Sequence, residues 1–343
     1  MNTVRLMLIG LGNVGQGLLQ ILRDASGSMD GQFGVRFVVT AVNDLRLGSL
    51  YNPNGLPVQA LLDAAAQGDL SQVSAAQRGW SVETMISQAE FDTLVEISYT
   101  NLQTGEPATG YIRQALQAGK NVVTTNKGPI ALHYHELKAL AQQHGARIGF
   151  EGTVMSGTPT LALGMNLLAA AGIEKIQGIF NGTTNYILTR MEAGDSYAEA
   201  LAEAQKLGYA EVDPTGDVEG FDAAGKVAIL SNLVMGSNLK LGEVERKGIT
   251  SLTTEDIQSA KLAGRRWKLI GTIEQSGDGI KASVEPVALP VEHPLANVGG
   301  ATNAVTYSTK YLGNVTLIGA GAGRLETGYA LLSDLLAIYQ VNS

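Results

Sequence analysis

The stretch Val4-Arg5-Leu6-Met7-Leu8-Ile9-Gly10-Leu11-Gly12-Asn13-Val14-Gly15 decides the fold. Its first half is a short, unbroken apolar run, the form of a strand buried on both faces of a parallel sheet. Its second half is G-x-G-x-x-G, and Gln16–Arg23 continues with apolar residues at helical spacing. Strand, glycine turn and helix in that order form a dinucleotide-binding unit. Gly10 makes the tight turn, Gly12 lets a pyrophosphate approach the backbone, and Gly15 lets the helix pack on the strand. The phosphates then meet the positive end of the helix dipole. Gly10, Gly12, Asn13, Val14 and Gly15 are the expected cofactor contacts, and a plain strand–helix turn is the competing reading.

Working outward, strands are expected at Phe37–Asn43, Asp92–Ile97, Asn121–Thr125 and Arg147–Phe150. Helical patterns separate them around Tyr111–Ala118 and Leu132–His144. That alternation predicts an α/β, Rossmann-type doubly wound parallel sheet over residues 1–150. From there the texture changes. Pro159–Ala171 reads as an apolar helix, Ile173–Phe180 as a strand, and Ser196–Leu207 and Asp222–Val234 as helices. Residues 265–310 hold short strand-like runs. A second, α+β catalytic and dimerisation domain is expected over 151–310. Residues 311–343, a strand at Val315–Ile318 and a helix reaching Tyr339, are expected to pack back on the first domain.

Composition narrows the function. The 343 residues exceed the usual size of one core, which fits two domains. Lys and Arg number 24 against 32 Asp and Glu, a net charge of −8 that argues against a nucleic-acid partner. The absence of cysteine excludes disulfides, thiolate catalysis and Cys-ligated metals. Glycine is in excess, at 42 residues, which means tight turns or close backbone approach. The glycine-interrupted N-terminus lacks a signal-peptide pattern, and there is no membrane-length apolar run, so a cytoplasmic protein is expected. His133 and His135 fall on different helix faces, and no metal-ligating histidine pattern occurs among the four histidines.

Asp44 follows the second strand, where a carboxylate takes the adenosine ribose hydroxyls of NAD. It lies 29 residues past Gly15, beyond the usual ~20, and the Gly/Ser/Asp-rich stretch 24–34 accounts for the delay. Arg46 is placed to neutralise the 2′-phosphate of NADP, so the pair leaves the cofactor open. Lys127 and Thr100 follow the ends of parallel strands, where ligands bind in open α/β sheets, or are ordinary loop residues. Asp222 and Lys226 are i, i+4 on one helix face, either a surface ion pair or an arrangement that orients an amine for proton transfer. Gly319–Gly323 is either a structural turn or a segment closing over the cofactor.

Several segments together resemble the homoserine dehydrogenase family in its short, monofunctional form. They are Gly105-Glu106-Pro107, Thr124–Pro129, Phe150–Val154, Asn181-Gly182-Thr183-Thr184-Asn185-Tyr186-Ile187-Leu188, Leu207–Pro214, Asp217–Lys226 and His293–Ala296. The resemblance spans nearly the whole chain. It implies NAD- or NADP-dependent interconversion of L-homoserine and L-aspartate 4-semialdehyde, in threonine and methionine biosynthesis. It makes Lys226 the acid/base residue and Lys127 a second active-site lysine. Glu211 and Asp222 become substrate-binding, with Asp217 in support, and Gly208 and Gly321 lie near the cofactor. A monovalent cation, commonly sodium, is implied on Glu151, Val154, Ser156 and Thr158, and a homodimer through the second domain. The alternatives are a dehydrogenase of the same layout for another amino-acid aldehyde, or a dinucleotide-binding sensor without turnover.

Overall fold

The computed structural model describes residues 2–277 and 279–340. Within them the chain divides into two compact units, residues 2–157 with 323–340, and residues 158–322.

The first unit contains β1 (Asn2–Ile9), β2 (Val35–Asp44), β3 (Gly48–Tyr51), β4 (Gln77–Arg78), β5 (Thr93–Glu96), β6 (Asn121–Thr124) and β7 (Ile148–Gly149). Between them run α1 (Asn13–Phe33), α2 (Val58–Gln67), α3 (Val82–Gln88), α4 (Ala108–Gln117) and α5 (Lys127–Gln143). The sheet order is β4-β3-β2-β1-β5-β6-β7. Strands β2, β1, β5, β6 and β7 are parallel, and β3 joins β2 antiparallel. The apolar run of β1 is continuous because both its faces are covered. Val4, Leu6 and Leu8 join one core cluster with Leu18, Leu19 and Leu22 of α1, while Met7 and Ile9 join another with Ile112, Leu116 and Leu137. The strand order reverses at β1, with β2 on one side and β5 on the other, so a crevice opens at the carboxyl ends of β1, β2 and β5.

Helix α1 runs further than expected, through the Gly/Ser/Asp-rich stretch, and stops at Gly34 in the left-handed region (φ +65°). The late position of Asp44 therefore reflects a long helix. No proline interrupts that stretch, and polar residues alone do not end a helix whose apolar side is already packed.

The second unit holds β8 (Ile173–Ile179), β9 (Glu245–Arg246), β10 (Arg265–Ser276), β11 (Gly279–Pro290), β12 (Thr302–Thr309) and β13 (Gly313–Ala320). Their order is β13-β12-β8-β10-β11-β9, antiparallel except where β9 meets β11. Its helices are α6 (Thr160–Ala162), α7 (Gly182–Ala193), α8 (Tyr197–Lys206), α9 (Thr215–Val218), α10 (Phe221–Val234) and α11 (Thr254–Leu262). The helix expected over 159–171 is only α6 followed by a π-helical turn, Leu163–Leu167. The Tyr307 hydroxyl donates to Thr160 O at 2.8 Å. A Cβ on Gly164 would sit 3.0 Å from both Val234 methyls, so tertiary packing fixes this segment rather than helix propensity.

The expected C-terminal strand–helix piece is split between units. Its strand, β13, pairs with β12 in the second sheet. Only α12 (Arg324–Tyr339) belongs to the first unit. There Gly17 of α1 and Gly328 of α12 permit close crossing. A Cβ on Gly17 would fall 1.9 Å from Arg324 O, and one on Gly328 2.5 Å from Gly17 C. Leu331, Leu332, Leu335 and Ile338 complete the core over β1. No described helix is long and apolar enough to cross a membrane.

Candidate active site

In the first unit the glycine turn has three separate reasons for its glycines. Gly10 has φ +106°, and a Cβ there would be 2.6 Å from Ile97 O at the end of β5. A Cβ on Gly15 would be 2.8 Å from Gly10 O. Gly12 is different. Its φ is an ordinary −74° and a Cβ would meet nothing within 4 Å. No neighbour in the fold requires glycine at residue 12, and the space beside it is open. Gly12 also begins α1 with no side-chain cap and no acidic residue in the first turn. The first N–H groups of α1, at Asn13, Val14 and Gly15, therefore form an uncapped positive helix end, the chemistry that takes a pyrophosphate.

Asp44 closes this turn. Its Oδ2 accepts from Leu11 N at 2.8 Å, and its Oδ1 accepts from Arg46 N at 2.9 Å and Leu47 N at 3.1 Å. The carboxylate is thus held at the end of β2 beside the glycine turn. Arg46 is exposed, and its guanidinium makes no hydrogen bond or ion pair among the described residues.

The strand pattern gave no reason to single out Glu96, the last residue of β5. It is fully buried and accepts from Ser98 N at 3.0 Å, from the Ser98 hydroxyl, and from Thr124 Oγ1 at 3.3 Å. Burial pushes its carboxyl above the ordinary value of 4.5, and these donors pull only partly against it. A raised folded-state value means the folded protein binds that proton more tightly than the unfolded chain. Stability is then lost as pH rises from about 4.5 through the folded value. Glu96→Gln removes this contribution. The variant is expected to hold its melting temperature better than the parent between pH 5 and pH 8, measured by calorimetry in matched buffers. Equal slopes in both proteins would contradict the assignment.

In the second unit, Gly220 (φ +79°) turns the chain into α10. One helical turn then places Asp222 and Lys226 on the same side. The Lys226 ammonium donates to Asp222 Oδ2 at 2.7 Å and to Phe180 O at 2.6 Å, and the residue is only 8% exposed. The pair is therefore not a solvated surface contact. Asn181, the N-cap of α7, joins it to Asp217. Its Nδ2 donates to Asp217 Oδ1 at 2.6 Å and to Asp222 Oδ2 at 3.1 Å, while its Oδ1 accepts from Thr184 N at 2.9 Å. Burial and the neighbouring Asp222 charge push the Asp217 carboxyl up, against the bond from Asn181. Two carboxylates and one ammonium in a mostly desolvated cluster leave one formal negative charge, suited to a small organic cation.

The other expected site residues are placed as follows. Lys127 is the first residue of α5, whose N-cap Asn126 accepts from Gly128 N at 3.2 Å. Lys127 is thus just past the carboxyl end of β6, and Thr100 lies in the loop after β5. Glu211 is exposed, and among the described residues no hydrogen bond or ion pair joins its carboxylate to the cluster. Gly208 (φ +76°) is the left-handed residue after Leu207 that ends α8. Gly321 has its own steric reason, since a Cβ there would be 2.2 Å from the Asn303 side chain. Both polar atoms of that buried amide lack a partner among the described residues.

Glu151, Val154 and Ser156 are buried, and Glu151 N donates to Asp334 Oδ2 at 2.9 Å. Burial, and behind it the Glu151 charge, push the Asp334 carboxyl well above its ordinary range, against the bond from Glu151 N. Met155 (φ 58°) and Ser156 (φ 54°) are consecutive non-glycine residues in the left-handed region. Such backbone persists only where its surroundings impose it. Thr158 begins the second unit, its hydroxyl donating to Ala320 O at 3.0 Å. No cluster of three or more His, Cys, Asp or Glu suited to a metal occurs among the described residues.

A crevice with an uncapped helix end and open glycine, together with a desolvated amine–carboxylate cluster, defines a nicotinamide-dependent oxidoreductase. Comparison with known proteins specifies it. Residues 10–151 match the model described as homoserine dehydrogenase, NAD binding domain, and residues 159–336 the homoserine dehydrogenase model. An NAD(+)-dependent homoserine dehydrogenase of Pseudomonas canavaninivorans is 45% identical over 342 residues, covering 99% of this chain and 97% of that one. The crystal structure of a homoserine dehydrogenase from Thiobacillus denitrificans superposes with TM-score 0.86 at 34% identity, covering 99% of this chain and 74% of that one. A hyperthermophilic archaeal homoserine dehydrogenase in complex with NADPH gives TM-score 0.84 at 30% identity, covering 98% and 97%. The chain belongs to the homoserine dehydrogenase family, NAD(P)-dependent oxidoreductases acting on homoserine.

Proposed function

We propose that L-homoserine is held by the Asp217–Asn181–Asp222–Lys226 cluster, and that Lys226 is the group that moves its hydroxyl proton. The observation that carries this is the Lys226 amine fixed between Asp222 Oδ2 and Phe180 O within a cluster of net negative charge. Asp217 and Asp222 attract the substrate ammonium, with exposed Glu211 at the approach. In the oxidative direction a neutral Lys226 amine takes the proton of the terminal hydroxyl as the carbinol carbon gives up hydride. In the reductive direction its ammonium returns that proton to the forming alkoxide. Lys127 assists as a second cation at the developing negative oxygen. The bound nicotinamide supplies the hydride acceptor. The products of oxidation are L-aspartate 4-semialdehyde and the reduced cofactor. Formation of NADH or NADPH from L-homoserine at alkaline pH, with other amino-acid alcohols as comparators, tests the reading. Dinucleotide binding without turnover would favour a sensor instead.

For the dinucleotide, the three N–H groups holding Asp44 in place support NAD as the preferred form, because a fixed carboxylate repels a 2′-phosphate. Asp44→Ser is expected to shift the NAD-over-NADP ratio of kcat/KM toward NADP by about tenfold or more, a change of about 1.4 kcal/mol. An unchanged ratio would remove Asp44 from the ribose site. Gly208 and Gly321, though sterically explained, remain part of the proposed cofactor surroundings, as does Thr100. The strained Met155-Ser156 backbone supports a sodium ion on oxygens of Glu151, Val154, Ser156 and Thr158. Exposed Tyr311, Leu312 and Ile318 of the second unit support a homodimer through that unit, working in the cytoplasm.

A further inference from the structure

Lys268 of β10 is a buried cation that the reaction does not use. It is 2% exposed, and its ammonium donates to Asn185 Oδ1 at 3.0 Å and to Val298 O at 2.6 Å, both neutral acceptors. A buried charge without a paired anion is costly. Here it lines an open surface pocket of about 220 Å³ together with Thr189, Glu192, Lys261, Arg266 and Asn297. Ala296, which shares a buried apolar cluster with Ile270, Leu295 and Val298, lines the same pocket.

The charges on that wall do not balance. The one carboxylate, Glu192, is taken by Arg266 Nε at 3.1 Å. Lys261 Nζ spends a hydrogen bond on the Glu192 carbonyl at 2.9 Å, and Arg266 donates to Asn297 Oδ1 at 2.8 Å. Three cations against one carboxylate leave two uncompensated positive charges around one pocket. Burial pushes the Lys268 ammonium down to about 8, with Arg266 adding to the push and Glu192 opposing it. None of the lining residues belongs to the Lys226 cluster.

We propose that this pocket binds a small dianionic oxyanion, a phosphate group or a short dicarboxylate. Two negative charges match the wall. The pocket, about 220 Å³ and open to solvent on one side, has room for inorganic phosphate or a four-carbon dicarboxylate. The third hydrogen of the Lys268 ammonium and the remaining N–H groups of the Arg266 guanidinium supply donors for charge-assisted bonds, while the Thr189 hydroxyl hydrogen is already given to Asn185 O at 2.7 Å.

The test is calorimetric titration of the NAD-saturated protein with inorganic phosphate, and separately with succinate, against sodium chloride at matched ionic strength. Saturating NAD keeps the phosphate-binding turn of the first unit filled. A saturable isotherm with one or both probes is expected. Arg266→Gln and Lys261→Gln should each weaken it by about tenfold while leaving L-homoserine turnover in the absence of the probes at the parent level. Lys268→Met should abolish it if that variant folds, and the two rim variants decide the matter if it does not. Binding that only follows ionic strength, or equal affinity in the parent and both rim variants, would overturn the proposal.

Discussion

Lys226→Ala should lower kcat for L-homoserine oxidation by about a thousandfold, within the 10²–10⁴ range typical of a positioned proton-transfer group. Affinity for NAD should stay at the parent value. The expectation follows from how completely Lys226 is held. Its amine spends two hydrogens on Phe180 O and Asp222, and the residue is only 8% exposed. Water cannot easily take over proton transfer in so enclosed a place, and no second amine of the described second unit shares the cluster. Removing it also leaves Asp217 and Asp222 bridged by Asn181 with no cation between them, so substrate binding changes as well as turnover. Steady-state kinetics with an independent NAD titration checks this. Parent-like turnover would sink the assignment.

Gly12→Val should separate fold from function at the glycine turn. A Cβ at residue 12 meets nothing within 4 Å and its φ of −74° suits any residue. The melting temperature should therefore stay close to the parent, within the ~0.5 kcal/mol usual for substitutions that touch nothing. Affinity for NAD should fall by about a hundredfold, because the new methyls occupy the approach of the pyrophosphate to the uncapped end of α1. Gly10→Ala should do the opposite first. Its φ of +106° and the 2.6 Å clash with Ile97 O destabilise the fold before any ligand is added. Unchanged NAD affinity in Gly12→Val, measured by titration, would contradict the phosphate reading.

The parts legible in the sequence were those with a local period. The apolar run of β1 reported burial on both faces, and Asp222 with Lys226 at i, i+4 reported one helix face. What escaped were partners far apart along the chain. Asn181 bridges to Asp217 and Asp222, 36 and 41 positions away, and nothing in its own neighbourhood signals that duty. Glu96 sits at the end of an apolar strand, where one carboxylate reads as an edge residue until the sheet closes around it. Lys268 likewise looks like an ordinary strand lysine. The split of β13 from α12 was hidden because a strand followed by glycines and a helix carries no mark of which sheet the strand joins. The glycine excess includes sterically demanded positions, such as Gly17, Gly321 and Gly328, left-handed turn positions such as Gly34, and others, Gly12 among them, whose neighbours demand nothing.

The central claim is that an amine at position 226 carries the proton. The chain has no cysteine, so Lys226→Cys introduces a single thiol, and aminoethylation of that thiol, under unfolding conditions followed by refolding, rebuilds a lysine-like amine there alone. Turnover of L-homoserine should fall at least about a hundredfold in Lys226→Cys and recover most of that loss after complete aminoethylation, with mass spectrometry confirming the single modification. Parent-like turnover before modification, or none regained by a fully modified, folded protein that still binds NAD, would contradict the account.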